Sequence, residues 1–221
     1  MAMRERHPFR LAGMDRINDF SDAVFAVAIT LLIQTIDVPE VAEQFADQEL
    51  PKALADMWPK FFGYALSFVI VGTFWMMHHP LFSRLKRVDK KLMWLNHFFL
   101  MFIVFLSFHT EMMGTYEDSK VATAFYAVVM AACSLLTCTL WWYSTQVQDL
   151  SDGDISRFER KDVLYSFLAM AGVFALSLAI VPFSASAAKY SWISIWPLNS
   201  FIGRKFDKLA ESKAASPDPG A

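Results

Sequence analysis

Cysteine is scarce in this chain: Cys133 and Cys138 are the only two among 221 residues, and both lie inside one apolar run. Five positions apart on a helix they point in different directions, which argues against an intrahelical disulfide and leaves no cystine framework to mark a redox compartment. There is no HExxH and no cluster of cysteine ligands, so the familiar zinc-enzyme patterns are missing. No sign of charge dominates either, since the formal net charge is -2, and a chain without a basic excess has no electrostatic footprint for nucleic acid. A cleavable signal peptide is not apparent. The first apolar run follows Arg4, Arg6, Arg10 and Arg16 and has no clear small-residue cleavage site behind it, so the first helix is expected to remain in the mature protein.

What the chain does have is apolar residues, 55% of the total, with 21 Phe and 7 Trp, more than one soluble core would bury. They are segregated into runs of membrane-spanning length separated by short polar loops. The expected spans are Ile17 to Ile36, Phe61 to His79, Leu92 to Met113, Val121 to Tyr143, Val163 to Val181 and a shorter sixth, Trp192 to Ile202, interrupted by Pro197. The fold class is therefore an all-α integral membrane protein with six transmembrane helices. Residues 1–206 form one channel-sized domain without an internal repeat, and 207–221 read as a polar, disordered cytoplasmic tail. Lys and Arg are retained on the cytoplasmic side of span ends. Arg84, Lys86, Arg87, Lys90 and Lys91 follow the second span and Arg204, Lys205 and Lys208 follow the sixth, whereas the loop after the first carries Asp37, Glu40, Glu43, Asp47, Glu49 and Asp56. Both termini are thus expected inside. The stretch from Gln146 to Asp162 mixes Asp149, Asp152 and Asp154 with Arg157, Arg160 and Lys161 and does not vote.

The first span, RINDFSDAVFAVAITLLIQTIDVPE, brings Asp19, Ser21 and Asp22 to the mouth of a hydrophobic helix. At about 100° per residue, Phe20, Val27, Leu31 and Gln34 form a narrow stripe with Ala23, Val24 and Thr30 on its flanks, while Asp22 lies about 140° from Val27. One side of this helix can face a pore while the polar side is held by neighbours. An ionisable group near a membrane demands partners. His78 and His79 at the end of the second span and Asn96 and His97 at the start of the third lie at matching depth, so imidazole and amide groups can satisfy Ser21 and Asp22 across helices. Read blandly, the same residues are interfacial polar groups meeting lipid headgroups.

Arg16, Phe20, Ser21 and Asp22 make an RxxxFSD pattern that continues as AVFAVAITLL, and this closely resembles the first helix of the transmembrane protein 175 family of potassium channels. FWMMHHPLF and the LN of LMWLNHFFLMFIVFLSF resemble its second and third spans, and later segments match in number and spacing of spans. The resemblance implies a bacterial single-repeat member that assembles as a homotetramer, with first helices around a central pore and an apolar constriction in place of a TVGYG filter. This sequence likewise has no Gly-rich filter loop. By position, the narrow level falls on Val27, with Thr30 adjacent and Leu31 and Gln34 further outward. Arg16, Phe20, Ser21 and Asp22, with His78, His79 and Asn96, fall to the helix-anchoring network. The resemblance implies no catalytic residue, no bound metal and no cofactor; potassium is the permeant ion. Partners are further copies of the chain and membrane lipids, not nucleic acid, and the location is the bacterial plasma membrane. Two positions depart from the family: Val27 is smaller than the isoleucine or leucine usual there, and Gln34 brings an amide where an apolar residue is common. His109 and Glu111 together suggest an outer polar site.

An apolar ring excludes ions by dewetting, and Asp37 and Glu40 would concentrate cations at the outer mouth. The alternative reading is a proton-coupled or ion-coupled secondary transporter, since carboxylates and histidines within spans relay protons; the repeats and broken helices such proteins use are not evident. A metalloenzyme built on His78, His79, His97, His109 and Asp22 fits poorly, because adjacent histidines on a helix point about 100° apart. A membrane assembly protein without transport is a third possibility. The tryptophans, Trp58, Trp75, Trp94, Trp141, Trp142, Trp192 and Trp196, read as interfacial or lipid-facing anchors.

Overall fold

In the computed structural model, residues 8–86, 88–146 and 157–215 are described, excepting the side chains of 8–15, 157, 210 and 213–215. The charges of Arg4, Arg6, Arg10, Arg87, Asp149, Asp152, Asp154 and Arg157 used above lie outside that description. The order is α1 (Pro8–Leu31), α2 (Ala46–Asp56), α3 (Trp58–Ser83), α4 (Lys90–Thr115), α5 (Lys120–Gln146), α6 (Arg157–Ile180), α7 (Ala185–Ser191) and α8 (Ile195–Ala215), with 3-10 turns at Leu32–Thr35, Glu43–Phe45 and Trp192–Ser194. Five helices, matching the first five expected spans, are long and apolar enough to cross a membrane.

Local chemistry sets the boundaries. Asp89 caps α4 by accepting from the Leu92 amide at 2.8 Å, and Ser184 caps α7 through the Ala187 amide at 3.1 Å. Inside the spans, hydroxyls that would be orphaned in hydrocarbon donate back to their own helix: Thr30 to the Ala26 carbonyl, Ser134 to Met130, Thr137 to Cys133 and Ser144 to Leu140. The core runs through Phe74, Phe99, Ile103, Leu106, Tyr126, Met130 and Phe174. Both cysteines are buried and free.

The helices sort the loop charges onto two ends. At one end Arg84 pairs with Glu159, joining the α3–α4 connection to the start of α6. At the other, Lys60 pairs with Asp37 at 3.1 Å, Lys120 donates to the Pro182 carbonyl and Lys189 to the Glu117 carbonyl, both at 2.6 Å.

Several expectations change here. The sixth span, Trp192 to Ile202, is a 3-10 turn followed by the opening of α8, and α8 is not apolar enough to count by composition. It nevertheless runs antiparallel to α6: Trp192 donates to Ser177 Oγ at 2.9 Å, and Phe206 stacks on Tyr165 at 5.7 Å. Helix α8 also continues to Ala215, into the stretch read as a disordered tail; 216–221 lie outside the described residues. Two tryptophans read as anchors are core residues. Trp192 is 1% exposed and stacks on Tyr126, and Trp141, 4% exposed, donates to the Arg160 carbonyl.

Candidate functional site

Helix α1 packs on α3 and α4, and its residues divide by that contact. Ser21, Phe25, Ala28 and Leu32 are buried, whereas Ala23, Ala26, Val27, Thr30 and Gln34 are exposed together with Asp19 and Phe20. Val27 is 54% exposed and Phe20 51%. Leu31, assigned to the same stripe as Val27 by the ideal wheel, is only half-exposed. With Val24 it walls a groove of about 890 Å³ whose other wall is α4, at Met101, Phe105 and Phe108, with Glu111 at one end.

The buried side of α1 carries two hydrogen-bond systems from adjacent residues. Ser21 belongs to a directional chain: its hydroxyl donates to the Ile17 carbonyl at 2.9 Å, and its oxygen accepts from Asn96 Nδ2 at 3.0 Å. Asn96 Oδ1 in turn meets His78 Nε2 at 2.7 Å. Because that amide oxygen can only accept, His78 carries its proton on Nε2. The His78 ring lies nearly parallel to Phe82 and Phe99, with centroids 4.1 and 5.6 Å away. Ser21, His78 and Asn96 are all at most 1% exposed.

Asp22 enters the second system. Its Oδ2 accepts from His79 Nδ1 at 3.0 Å and its Oδ1 from Trp75 Nε1 at 2.9 Å. Composition alone marks Trp75 as a membrane anchor; its place one turn before His79 puts both on one face of α3, and that spacing is the sequence signal for its role. Phe20 sits outside both systems, stacked on His97 at 6.0 Å, while His97 Nδ1 meets the Met93 carbonyl. Arg16 is exposed at the same end.

The outer polar site expected from His109 and Glu111 does not form. His109 is buried with its ring against Phe105 and Phe125, and Glu111 is exposed at the groove; two positions apart on a helix, they face different ways. Asp37 is tied to Lys60, which offsets the charge it was expected to bring to the mouth. Among the described residues no group of three or more His, Cys, Asp or Glu is placed to hold a metal ion.

Residues 16–106 match the sequence profile of a family described as the endosomal/lysosomal potassium channel TMEM175. A potassium channel of Streptomyces collinus is 42% identical over 141 residues, which cover 62% of this chain and 67% of that protein. The chain belongs to the TMEM175 family. A potassium channel of Chamaesiphon minutus is 28% identical over 186 residues, 82% of this chain and 85% of the other. The crystal structure of a TMEM175 homologue from the same organism superposes with a TM-score of 0.72 at 25% identity, covering 88% of this chain and 98% of that one. This is a family of ion channels with membrane-spanning helices. The TMEM175 match takes in α1 from Arg16 onward, α3, and α4 as far as Leu106, the elements that meet in the Ser21 and Asp22 networks and that border the exposed arc of α1.

Proposed function

We propose that four copies of this chain assemble around an axis lined by α1 and form a potassium-permeable cation channel, closed by an apolar level at Val27, with Thr30 adjacent and Leu31 and Gln34 further outward. The observation that carries this reading is the pairing on α1 of an exposed arc that includes Thr30 and Gln34 with an opposite side fixed by hydrogen bonds. An exposed amide on a membrane helix is costly against lipid and natural against water or protein. Ala23 and Ala26 on the same arc are small enough for helices to approach closely. Support also comes from the two bacterial relatives, both described as potassium channels.

In this arrangement Val27 supplies a narrow dry zone that an ion cannot pass with its hydration shell, so conduction requires the ring to widen or wet. The Asp22 and Ser21 networks hold α1 against α3 and α4, and they are the pivots about which α1 would turn. The apolar groove between α1 and α4 receives the neighbouring subunit. Both termini, with Arg16, Arg84, Lys90, Lys91 and the basic residues of α8, face the cytoplasm of a bacterial plasma membrane. No cofactor takes part.

The test is flux through the purified protein in sealed liposomes, with potassium and sodium gradients and no proton gradient or co-substrate. A channel gives passive potassium flux and a reversal potential set by the two cations. Flux that appears only with a proton or co-substrate gradient identifies a transporter instead. Val27→Ala is expected to raise conductance without altering assembly on size exclusion; an unchanged conductance removes Val27 from the constriction.

A further inference from the structure

A second groove, of about 400 Å³, lies between the beginning of α4 and the end of α5, and nothing in the channel reading uses it. Its walls are Trp94, Leu95, Phe98 and Tyr143, and its mouth is Lys90 and Lys91. The walls are wide and greasy: Trp94 is 66% and Phe98 49% exposed, and their rings lie 6.1 Å apart along one face of α4. Both lysines are exposed. Asp89 directly precedes them in the chain, and both of its oxygens are engaged, Oδ1 by the Leu92 amide at 2.8 Å and Oδ2 by the Tyr143 hydroxyl at 2.5 Å. That second bond fixes Tyr143 across the foot of the groove. The first bond caps α4, and with both oxygens of Asp89 engaged the two ammonium groups are left at the mouth to attract an anion.

We infer that this groove is a binding site for an anionic phospholipid, with the phosphate between Lys90 and Lys91 and one acyl chain laid along Trp94, Leu95 and Phe98. Charge and shape argue together. A cationic mouth over an apolar trough matches an amphiphile and fits neither a soluble anion, which gains nothing from the trough, nor a zwitterionic lipid, whose headgroup cation meets two lysines. The level fits as well. The basic end of the bundle, where Arg84 pairs with Glu159, is the end assigned above to the cytoplasm, and clustered Lys/Arg just inside a span recognise the anionic headgroups of that leaflet. This placement in the leaflet rests on the topology of the proposed channel; the binding chemistry does not.

The experiment is native mass spectrometry of the full-length protein in detergent, titrated with phosphatidylglycerol, with phosphatidylcholine of the same chains, and with inorganic phosphate as a competitor. Phosphatidylglycerol should bind about thirtyfold tighter than phosphatidylcholine, from about fivefold for each of the two lysines near a headgroup. Lys90→Gln with Lys91→Gln should erase that preference and Lys90→Arg with Lys91→Arg should keep it, while Trp94→Ala should weaken both lipids. Equal retention of the two lipids, an undiminished preference in the double glutamine variant, or displacement by millimolar phosphate would overturn the inference. Micelles have no sides and the assay needs no conduction, so its failure is separate from failure of the channel reading. Topology is read independently by labelling Glu40→Cys with an impermeant maleimide in intact cells: no reaction from outside would refute the assignment to the inner leaflet.

Discussion

Removing the side chain of Asn96 should be the most damaging single truncation near the motif. The substitution Asn96→Ala takes the acceptor from His78 Nε2–H and the amide donor from Ser21 Oγ. Ser21 keeps its own bond to the Ile17 carbonyl, so its loss is small. His78 is different, because its ring is fully buried against Phe82 and Phe99 and its Nε2–H has no second acceptor among its hydrogen bonds. A buried donor left unsatisfied costs about 1–3 kcal/mol. The space vacated by a carboxamide adds about 1 kcal/mol at the usual cost per unit of cavity volume. The sum, about 2–4 kcal/mol, exceeds the roughly 0.6 kcal/mol typical of an interhelical hydrogen bond in a membrane protein. The excess arises because an orphaned donor remains after the bond is gone.

This reasoning makes a signed prediction for the double variant. His78→Phe keeps a ring between Phe82 and Phe99 and removes the donor, so Asn96→Ala with His78→Phe should regain about 1–2 kcal/mol relative to Asn96→Ala alone. The assay is denaturant unfolding of the detergent-solubilised protein, followed by tryptophan fluorescence at one fixed protein concentration, because assembly makes apparent stability concentration-dependent. Val27→Ala is the control: its side chain is more than half exposed in the subunit, and its loss should cost the subunit less than about 0.5 kcal/mol. The account is refuted if Asn96→Ala unfolds with wild-type stability, or if adding His78→Phe deepens the defect.

Three further outcomes are expected. Asp22→Ala strands the His79 and Trp75 donors together, so the yield of folded oligomer on size exclusion should drop, whereas Asp22→Asn, which keeps one acceptor, should be intermediate. Trp192→Phe removes the bond to Ser177 while keeping a ring against Tyr126; it should cost about 1–2 kcal/mol in the same unfolding assay, near the value of one buried hydrogen bond plus lost contact. Asp89 sits outside the spans, where partial burial alone would raise its carboxyl, but the Tyr143 hydroxyl and Leu92 amide outweigh that and hold it below the ordinary carboxylate range. Its contribution is therefore complete above about pH 4 and lost as pH falls through the lowered value; in Asp89→Ala that acid-limb loss of stability should be absent.

The span positions were legible because lipid demands uninterrupted apolar helices, yet the ends ran several residues longer than hydropathy suggests. Helix α3 begins at Trp58 with a proline in its first turn, and α4 begins at Lys90 behind the Asp89 cap; these residues build helix ends without being apolar. Helix α2 was missed altogether, since Asp47, Glu49, Pro51 and Asp56 make its sequence look like loop, although Leu50 and Leu54 share a face. The reverse error occurred in the tail. KLAESKAA looks disordered for want of large apolar residues, but Ala, Lys, Glu and Leu are strong helix formers and α8 continues through them. The partners of Ser21 and Asp22 could be found because polar groups inside a membrane must meet at one depth. Trp75 and Trp192 could not be told from the anchors Trp58, Trp94 and Trp196 by composition, since indole suits an interface and a buried hydrogen bond equally well.

The least legible feature was the orientation of α1. A wheel at constant pitch groups Val27, Leu31 and Gln34 because they are close in angle, but two effects act on that grouping. First, α3 and α4 take Phe25, Ala28 and Leu32 into the core and half-cover Val24 and Leu31, so the open arc is centred near Ala23 and Thr30, about 50° from the centre of the ideal stripe. Second, the helix tightens to a 3-10 turn at Leu32–Thr35. With about three residues per turn, position i+3 eclipses position i, and Gln34 is set directly above Leu31 on the groove wall, where both residues are found. In a tetramer built on this subunit, Val27 and Thr30 would then meet near the axis, while Leu31 and Gln34 would face the adjoining copy as much as the ion path. A substitution at Gln34 should accordingly disturb assembly and conduction together, whereas one at Val27 should disturb conduction alone.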